Sequence, residues 1–283
     1  MPCYNPLRAW RKQHVDPKTG KRGITFTRSQ GITDMELSIP CGKCMGCRVR
    51  KSIEWALRCV HESQLYQQNC FITLTYNTEN MPKDGSLNKK HFQDFMKRLR
   101  EHVAPKKIRY FMCGEYGSEL ERPHYHAIIF NHDFADKQSF KFSNKSVLYT
   151  SKQLEKLWPF GFSTIGEANY TSAAYCARYS TKKIFGEKAE SHYMGRQPEY
   201  CQMSLKPGLG YDYCVKYKEE LQAKDCIIHN GIEYALPKYY DLVFDDLDKQ
   251  KAKRKSKIDV SETTTERLRA KETVAESKRK LWN

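Results

Sequence analysis

Chemistry-bearing residues cluster first at His124-Tyr125-His126, set in Arg122-Pro123-His124-Tyr125-His126-Ala127-Ile128-Ile129-Phe130. Read as a strand, the stretch sends His124, His126 and Ile128 to one face and Tyr125, Ala127 and Ile129 to the other. Two imidazoles about 7 Å apart along a strand can reach one metal ion. Two histidines satisfied by ordinary hydrogen bonds are the plain alternative. Mg2+ and Mn2+ prefer oxygen, and Glu115, at the end of the preceding strand, supplies it if a hairpin returns its carboxylate toward the rings. Glu119 and Glu121 are rivals from the loop, where geometry is held less firmly. Such a His-His-Glu set, with open positions, would polarise a phosphoryl oxygen.

A nucleophile is available in Ala173-Ala174-Tyr175-Cys176-Ala177-Arg178-Tyr179-Ser180-Thr181-Lys182-Lys183. On a helix, Tyr175 and Tyr179 are i, i+4 neighbours and leave the same face, with Lys182 one further turn along. Ala173, Cys176, Ala177 and Ile184 take the opposite side, small enough for close approach to a sheet. A phenol, with its pKa near 10, becomes a useful nucleophile when a metal or a cation such as Lys182, Lys183 or Arg178 favours the phenolate. Attack on a phosphodiester would leave a 5′-phosphotyrosine and release a 3′-hydroxyl. The stored bond permits rejoining without ATP, and a second tyrosine permits a second cleavage while the first is occupied.

Cys41-Gly-Lys-Cys44-Met-Gly-Cys47 places three thiols at CxxCxxC spacing. Structural zinc takes four ligands. Cys3 is the first candidate for the fourth, with Cys59 or His61 in reserve. An iron–sulfur cluster is disfavoured, because the fourth cysteine three residues on, followed by proline, is absent. Unliganded surface thiols are the remaining alternative.

These residues need elements to position them. Val49, Ile53, Ala56, Leu57 and Val60 recur at helical spacing over 48–66. Cys70 to Tyr76 is β-branched and aromatic, a strand. Leu87 to His102 is a helix with Phe92, Phe95, Met96 and Leu99 on one stripe. Ile108 to Cys113 is a strand closed by Gly114 to Gly117, forming an antiparallel hairpin with the His-x-His strand. Lys152 to Trp158 is a short helix, Phe162 to Ile165 a strand and Ala173 to Ile184 a helix. The order β-α-β-β-α-β-α predicts an α+β fold, a central antiparallel sheet covered by helices. Met203 to Gly210 is either a phosphate-meeting loop or a plain connector, and Val243 closes the part expected to be ordered.

The 283-residue chain carries a formal net charge of +16 and a 39% hydrophobic content. Its pI is near 9.3 and its mean hydropathy is -0.77. A polyanionic partner is indicated. Residues 249–283 hold 12 Lys/Arg against 5 Asp/Glu, a net of +7 that leaves +9 for the preceding 248. The tail is therefore expected as basic solvated helix or flexible chain. No run approaches a membrane span. The odd count of 11 cysteines, with no leader pattern after Met1, suggests a reducing, cytoplasmic setting.

Together, Phe71-Ile-Thr-Leu-Thr-Tyr76, the Gly114-Glu115-Tyr-Gly and Arg122-Pro-His124-Tyr-His126 pair, and Ala174-Tyr175-Cys-Ala-Arg-Tyr179-Ser-Thr-Lys-Lys resemble the HUH endonucleases. Within that superfamily the chain is similar to the replication initiation proteins of gokushovirus-type microviruses. The segments Ile39 to Arg48 and Met203 to Gly210 carry the same likeness, which spans residues 1 to about 245. Two departures stand out: Ala127 follows the second histidine, and Arg178 replaces a frequent lysine, which keeps the charge but alters its geometry. The resemblance implies a palm-like core and origin-specific nicking with Mg2+ or Mn2+. It also implies rolling-circle synthesis and rejoining of a displaced single-stranded circle in the bacterial host's cytoplasm, alongside host replication machinery that includes a helicase.

The expected organisation is a Cys-rich, Zn2+-stabilised segment and helix over 1–66, a core over 67–245, and a flexible tail over 246–283. The catalytic set is Tyr175, Tyr179, Lys182, Lys183 and Arg178, with His124, His126 and Glu115 for the catalytic metal and Cys3, Cys41, Cys44 and Cys47 for zinc. Arg48, Arg50, Lys51, Arg122 and Lys206 are expected to touch DNA. Rival readings are a relaxase or transposase of the same superfamily, and a non-catalytic, zinc-stabilised nucleic-acid-binding module.

Overall fold

The computed structural model describes residues 2–117, 120–143, 146–182, 184, 187–256 and 261–281, with the side chains of 143, 179–182, 188 and 279–281 outside that description. By packing, the chain forms two units, Met1–Lys51 with Asp246–Asn283, and Ser52–Asp245. The first unit opens with strands β1 (Leu7–Val15), β2 (Arg22–Thr25) and β3 (Gly31–Ile39), paired antiparallel in the order β2-β1-β3. Residues 1–47 are polar and punctuated by Gly and Pro, with no strand expected from their pattern. The sheet escapes that pattern because it buries little, Ala9, Trp10 and Thr25 being its main enclosed side chains. Gly31 faces the Trp10 side chain so closely that an added Cβ would lie 2.3 Å from the Trp10 Cβ. Helix α1 (Met45–Ser63) starts in this unit and continues into the second.

The second unit continues with β4 (Asn69–Tyr76), α2 (Lys89–His102), β5 (Arg109–Tyr116), β6 (Pro123–Phe130), β7 (Gln138–Ser143) and β8 (Ser146–Thr150). Then come α3 (Lys152–Leu157), β9 (Gly161–Gly166), α4 (Tyr170–Lys182), α5 (Glu187–Tyr193) and β10 (Tyr200–Met203). It ends with α6 (Tyr211–Lys216), α7 (Lys218–Lys224) and the hairpin β11 (Cys226–His229) and β12 (Ile232–Ala235). Among the described residues β10-β5-β6-β4-β9-β8-β7 form one seven-stranded sheet, antiparallel throughout. The expected antiparallel sheet covered by helices is present, enlarged by the β7–β8 hairpin and by β10 at the edge beside β5.

Alternation divides the sheet's two faces. Ile72, Leu74, Met112, Tyr125, Ala127 and Ile129 face the core shared with Phe92, Phe95, Met96 and Leu99 of α2 and Leu154 of α3. Each Ile, Leu, Phe or Met among them, removed from water, contributes roughly 1.5–3 kcal/mol before the cost of ordering the chain. Asn88 caps α2 by accepting from the Lys90 N–H, and Ser151 caps α3 by accepting from the Leu154 N–H. On the other face, Phe111, Cys113, Ile128 and Phe130 pack with Ala56 and Cys59 of α1 and with Ala173, Cys176 and Ala177 of α4. The small residues of α4 lie against the sheet as the helical pattern predicted. Ser52 ties the two helices by donating its hydroxyl to the Ala174 carbonyl at 3.2 Å.

The first unit resumes with α8 (Leu247–Ser256) and α9 (Thr265–Leu281). Helices thus follow Val243, as one of the two readings of the basic tail expects, and Leu268 of α9 is buried. Among the described residues no helix is long and apolar enough to cross a membrane.

Candidate active site and metal centres

Register across three strands builds the site. β5 pairs with β6 so that Glu115 faces His124 and Cys113 faces His126, while β4 sets Thr75 beside His124 and Thr73 beside His126. The hairpin thus returns Glu115 toward the two rings, and all these side chains share the face that α4 covers. The imidazoles of His124 and His126 are parallel within 1°, their centroids 6.3 Å apart.

Each ring is held from behind. The His124 Nδ1–H donates to the Arg122 carbonyl at 2.6 Å, which leaves Nε2 with its lone pair. That carbonyl also accepts from the Gly117 N–H at 2.9 Å. A Cβ on Gly117 would come within 3.1 Å of His124 Cε1, so glycine keeps room for the ring. Burial pushes the His124 imidazole below its ordinary value, the Arg122 carbonyl pulling the other way, and the neutral form is the one that ligates metals. His126 is nearly enclosed, with Nδ1 at 2.9 Å from Thr73 Oγ1 and Nε2 at 2.8 Å from Glu115 Oε1. The Thr73 hydroxyl can donate or accept, so it supports either tautomer of His126. Phe71 stacks on the ring, with centroids 5.7 Å apart. Thr73 lies in the Phe71–Tyr76 stretch, which carries no site role in the sequence; its part in the site comes from register alone.

Tyr175 projects from α4 over this group. Its hydroxyl donates to Glu115 Oε1 at 3.1 Å, and its ring meets that of His126 edge-on with centroids 5.0 Å apart. Glu115 is buried, and its Oε2 has no hydrogen-bond partner among the described residues. An orphaned carboxylate oxygen beside two imidazoles on one face suits a cation with mixed nitrogen and oxygen ligands. These donor types would suit Mn2+ or Mg2+, although among the described residues the cluster with its ligand atoms drawn together is that of the four thiols, and His126 Nε2 is turned to Glu115 itself. Of the rival carboxylates, Glu121 pairs instead with Arg196 at 2.8 Å, and Glu119 lies outside the described residues. Arg178 is exposed on α4. The side chains of Tyr179 and Lys182 lie outside the described ones, as does Lys183 altogether.

The four thiols of Cys3, Cys41, Cys44 and Cys47 have ligand atoms all within 4.8 Å of one another. Backbone N–H groups of Cys41, Cys44 and Tyr4 donate to Cys3, Cys41 and Cys44 sulfurs at 3.2, 3.3 and 3.3 Å, contacts that stabilise a thiolate, while burial pushes Cys3 and Cys47 up. Burial opposes ionisation of Cys44, but N–H donors from Cys47 and Tyr4 and neighbouring thiols hold it down to about 7. The cluster is compatible with a tetrahedral zinc site. Gly46 lets the start of α1 approach the Pro2 carbonyl, where a Cβ would lie 2.0 Å from the oxygen. The reserve ligands are occupied elsewhere, Cys59 in the core under α4 and His61 against Tyr240.

The expected DNA contacts are dispersed. Arg122 lies beside His124, its guanidinium donating to Thr78 Oγ1 at 3.0 Å. Arg48 donates to the Lys43 carbonyl at 2.8 Å beside the thiol cluster. Arg50 and Lys51 follow on α1, Lys51 exposed. Lys206 is exposed in the turn after β10, near Arg109, at the end of β5 opposite Glu115.

Comparison with known proteins adds a lineage to this geometry. The family model for replication-associated protein ORF2/G2P matches residues 69–184, from β4 to just beyond α4. Replication-associated protein ORF2 of Spiroplasma virus 4 is 37% identical over 219 residues, 72% of this chain and 67% of that protein. Replication-associated protein VP4 of Bdellovibrio phage phiMH2K is 31% identical over 249 residues, 85% of this chain and 76% of the relative. Replication-associated protein ORF4 of Chlamydia phage 1 is 29% identical over 218 residues, 74% of this chain and 54% of the relative. No solved structure matches the chain.

Proposed function

Because the chain belongs to the family of gokushovirus-type microvirus replication-associated proteins, we propose that it initiates replication by nicking and rejoining origin DNA through a tyrosine–DNA bond, as an HUH-type strand transferase. One observation carries the reading. The Tyr175 hydroxyl and His126 Nε2 converge on the same buried oxygen of Glu115, at 3.1 and 2.8 Å.

In this mechanism a phosphodiester lies between the His124/His126 face and α4. The phenol proton of Tyr175 leaves along its bond to Glu115 Oε1. The phenolate oxygen attacks phosphorus; the bond from phosphorus to the 3′ oxygen breaks, and the proton that Glu115 received passes through water to that oxygen, which leaves as the 3′-hydroxyl. The product is a 5′-phosphotyrosine, and attack by a 3′-hydroxyl reverses the step and joins strands. Arg178, Lys182 and Lys183 on and after α4 are the cations assigned to favouring the phenolate. Tyr179, one turn from Tyr175, is the second nucleophile. A Mg2+ or Mn2+ ion held by His124, His126 and Glu115 would polarise the phosphoryl oxygen and stabilise developing charge. Zn2+ on the four cysteines is structural. Arg48, Arg50, Lys51, Arg122 and Lys206 hold DNA phosphates, and the catalytic work belongs to residues 67–245. The setting is the cytoplasm of a bacterial host, with a host helicase opening the duplex ahead of the freed 3′ end.

The test is a labelled single-stranded origin oligonucleotide with Mn2+. A covalent protein–DNA adduct forms with the native chain and is absent from the double variant Tyr175→Phe, Tyr179→Phe. Adduct that survives in the double variant overturns the nucleophile assignment.

A further inference from the structure

The end of β5 remote from Glu115 carries a second concentration of chemistry. Arg109, six residues before Glu115 on the same strand, marks a point about 20 Å away along β5. There a cleft of about 800 Å3 opens between the α2–β5 connection and the turn after β10. Arg100, Lys106, Lys107 and Lys206 line it, and all four are exposed.

The cleft is a built feature. Arg109 pairs with the buried Glu62 at 2.9 Å and donates to the Pro207 carbonyl at 2.6 Å, which fixes the turn that presents Lys206. Asp212, the acid among the lining residues, faces the same Arg109 at 3.8 Å; with Glu62 it sets two carboxylates against Arg109 and the four outer cations, so the cleft stays net positive. Two half-buried rings, Tyr66 and Tyr110, complete the wall, and the Arg100 guanidinium lies 5.7 Å from the centre of the Tyr110 ring.

Cations that can follow a phosphate backbone, interleaved with aromatic rings in a concave site, are the elements of single-strand recognition. The volume lies within the roughly 300–1,000 Å3 range of clefts that enclose small units. It is large enough for a nucleotide or two of a flexible strand. We propose that this cleft is a second DNA site, which grips single-stranded DNA flanking the cleaved phosphodiester by its phosphates and stacks a base against Tyr66 or Tyr110. The proposal rests on the reading of the chain as a DNA strand transferase, and it gives that enzyme a hold on one end of the strand while the other end is cut.

Binding of fluorescent origin oligonucleotides to the full chain, across a salt series, tests this. Three fewer phosphate contacts lower the salt slope for single strands by about 2. The variant Arg100→Ala, Lys106→Ala, Lys107→Ala is therefore expected to lose that much slope and about tenfold in affinity, with unchanged melting as the folding control. Restoring the charges as Arg100→Lys, Lys106→Arg, Lys107→Arg is expected to restore the slope. A second measurement lengthens the oligonucleotide one nucleotide at a time on each side of the nick. The native chain gains affinity once the strand reaches the cleft, and the alanine variant does not. An unchanged salt slope, or the same length dependence in both proteins, overturns the cleft. If the native chain forms no adduct but shows this charge-dependent binding, the catalytic reading fails while the cleft stands.

Discussion

Tyr175 donates its hydroxyl to Glu115 across 3.1 Å, joining helix α4 to strand β5 over 60 residues of sequence. The contact depends on the small residues of α4. Ala173, Cys176 and Ala177 let the helix lie close against Phe111, Cys113 and Ile128, and the phenol one step around the helix then reaches the carboxylate. Packing and position are coupled here: a bulkier packing face would lift the Tyr175 hydroxyl away from the Glu115 carboxylate.

Glu115→Gln keeps the shape and one oxygen for Tyr175 but removes the charge. Adduct formation should fall by on the order of 100-fold, the scale seen when a preorganised charged or hydrogen-bonding group is lost. Melting temperature should hold or rise, because a buried carboxylate with an unpartnered oxygen is costly to enclose. Parallel adduct assays and thermal melts decide it; activity near the native level removes Glu115 from the site.

Thr73→Val deletes the hydroxyl that faces His126 Nδ1 at 2.9 Å without changing side-chain size. Partners of this kind are worth about 10- to 100-fold in metal affinity. Mn2+ titration followed by electron paramagnetic resonance should show that loss, and Thr73→Ser should largely recover it. Equal Mn2+ affinity in all three proteins assigns Thr73 to packing only.

Much of this was legible in the chain itself. Cys70 to Tyr76 alternates so regularly that its burial follows the pattern, and the stripe of α2 is enclosed at Phe92, Phe95, Met96 and Leu99 as its spacing requires. The hairpin that brings Glu115 to the histidines follows from two strands with a short connection. Other elements give little signal for physical reasons. Gln138-Ser-Phe-Lys-Phe-Ser143 forms the edge strand β7 with few enclosed apolar side chains, and Tyr200–Met203 is four residues long and depends on pairing with β5. Thr73 is one threonine among several in strands until register sets it beside His126.

Zinc should support the first unit. Metal analysis is expected to find one zinc per chain, and Cys44→Ser or a strong chelator should remove it. Structural zinc supplies about 10–16 kcal/mol to small domains, while the sheet β1–β3 encloses few side chains of its own. Limited proteolysis of the metal-free protein should cut within residues 2–51 first and leave most of 52–245 resistant. Zinc-free protein that resists proteolysis equally in both regions counts against a structural role.

Acid sensitivity is predicted to arise at His61. Burial lowers its pKa from 6.5 to about 4, with nearby His229 acting in the same direction. The ring stacks on Tyr213 with centroids 4.0 Å apart, and its Nδ1 lies 2.7 Å from the Tyr240 hydroxyl. The folded state therefore holds a neutral imidazole where the unfolded chain, near its ordinary value, would bind a proton. The resulting stability is complete above pH 6.5 and drains away as pH falls toward 4. At 1.36 kcal/mol per pH unit the full span is worth about 3 kcal/mol. His61→Phe keeps the stacking and loses the hydrogen bond, so it should be less stable than the native chain at pH 7.5. Because phenylalanine does not titrate, denaturant midpoints should show that deficit narrowing at pH 5.5 and narrowing further at pH 4.5. A deficit of constant size across that range would place the acid-sensitive proton elsewhere.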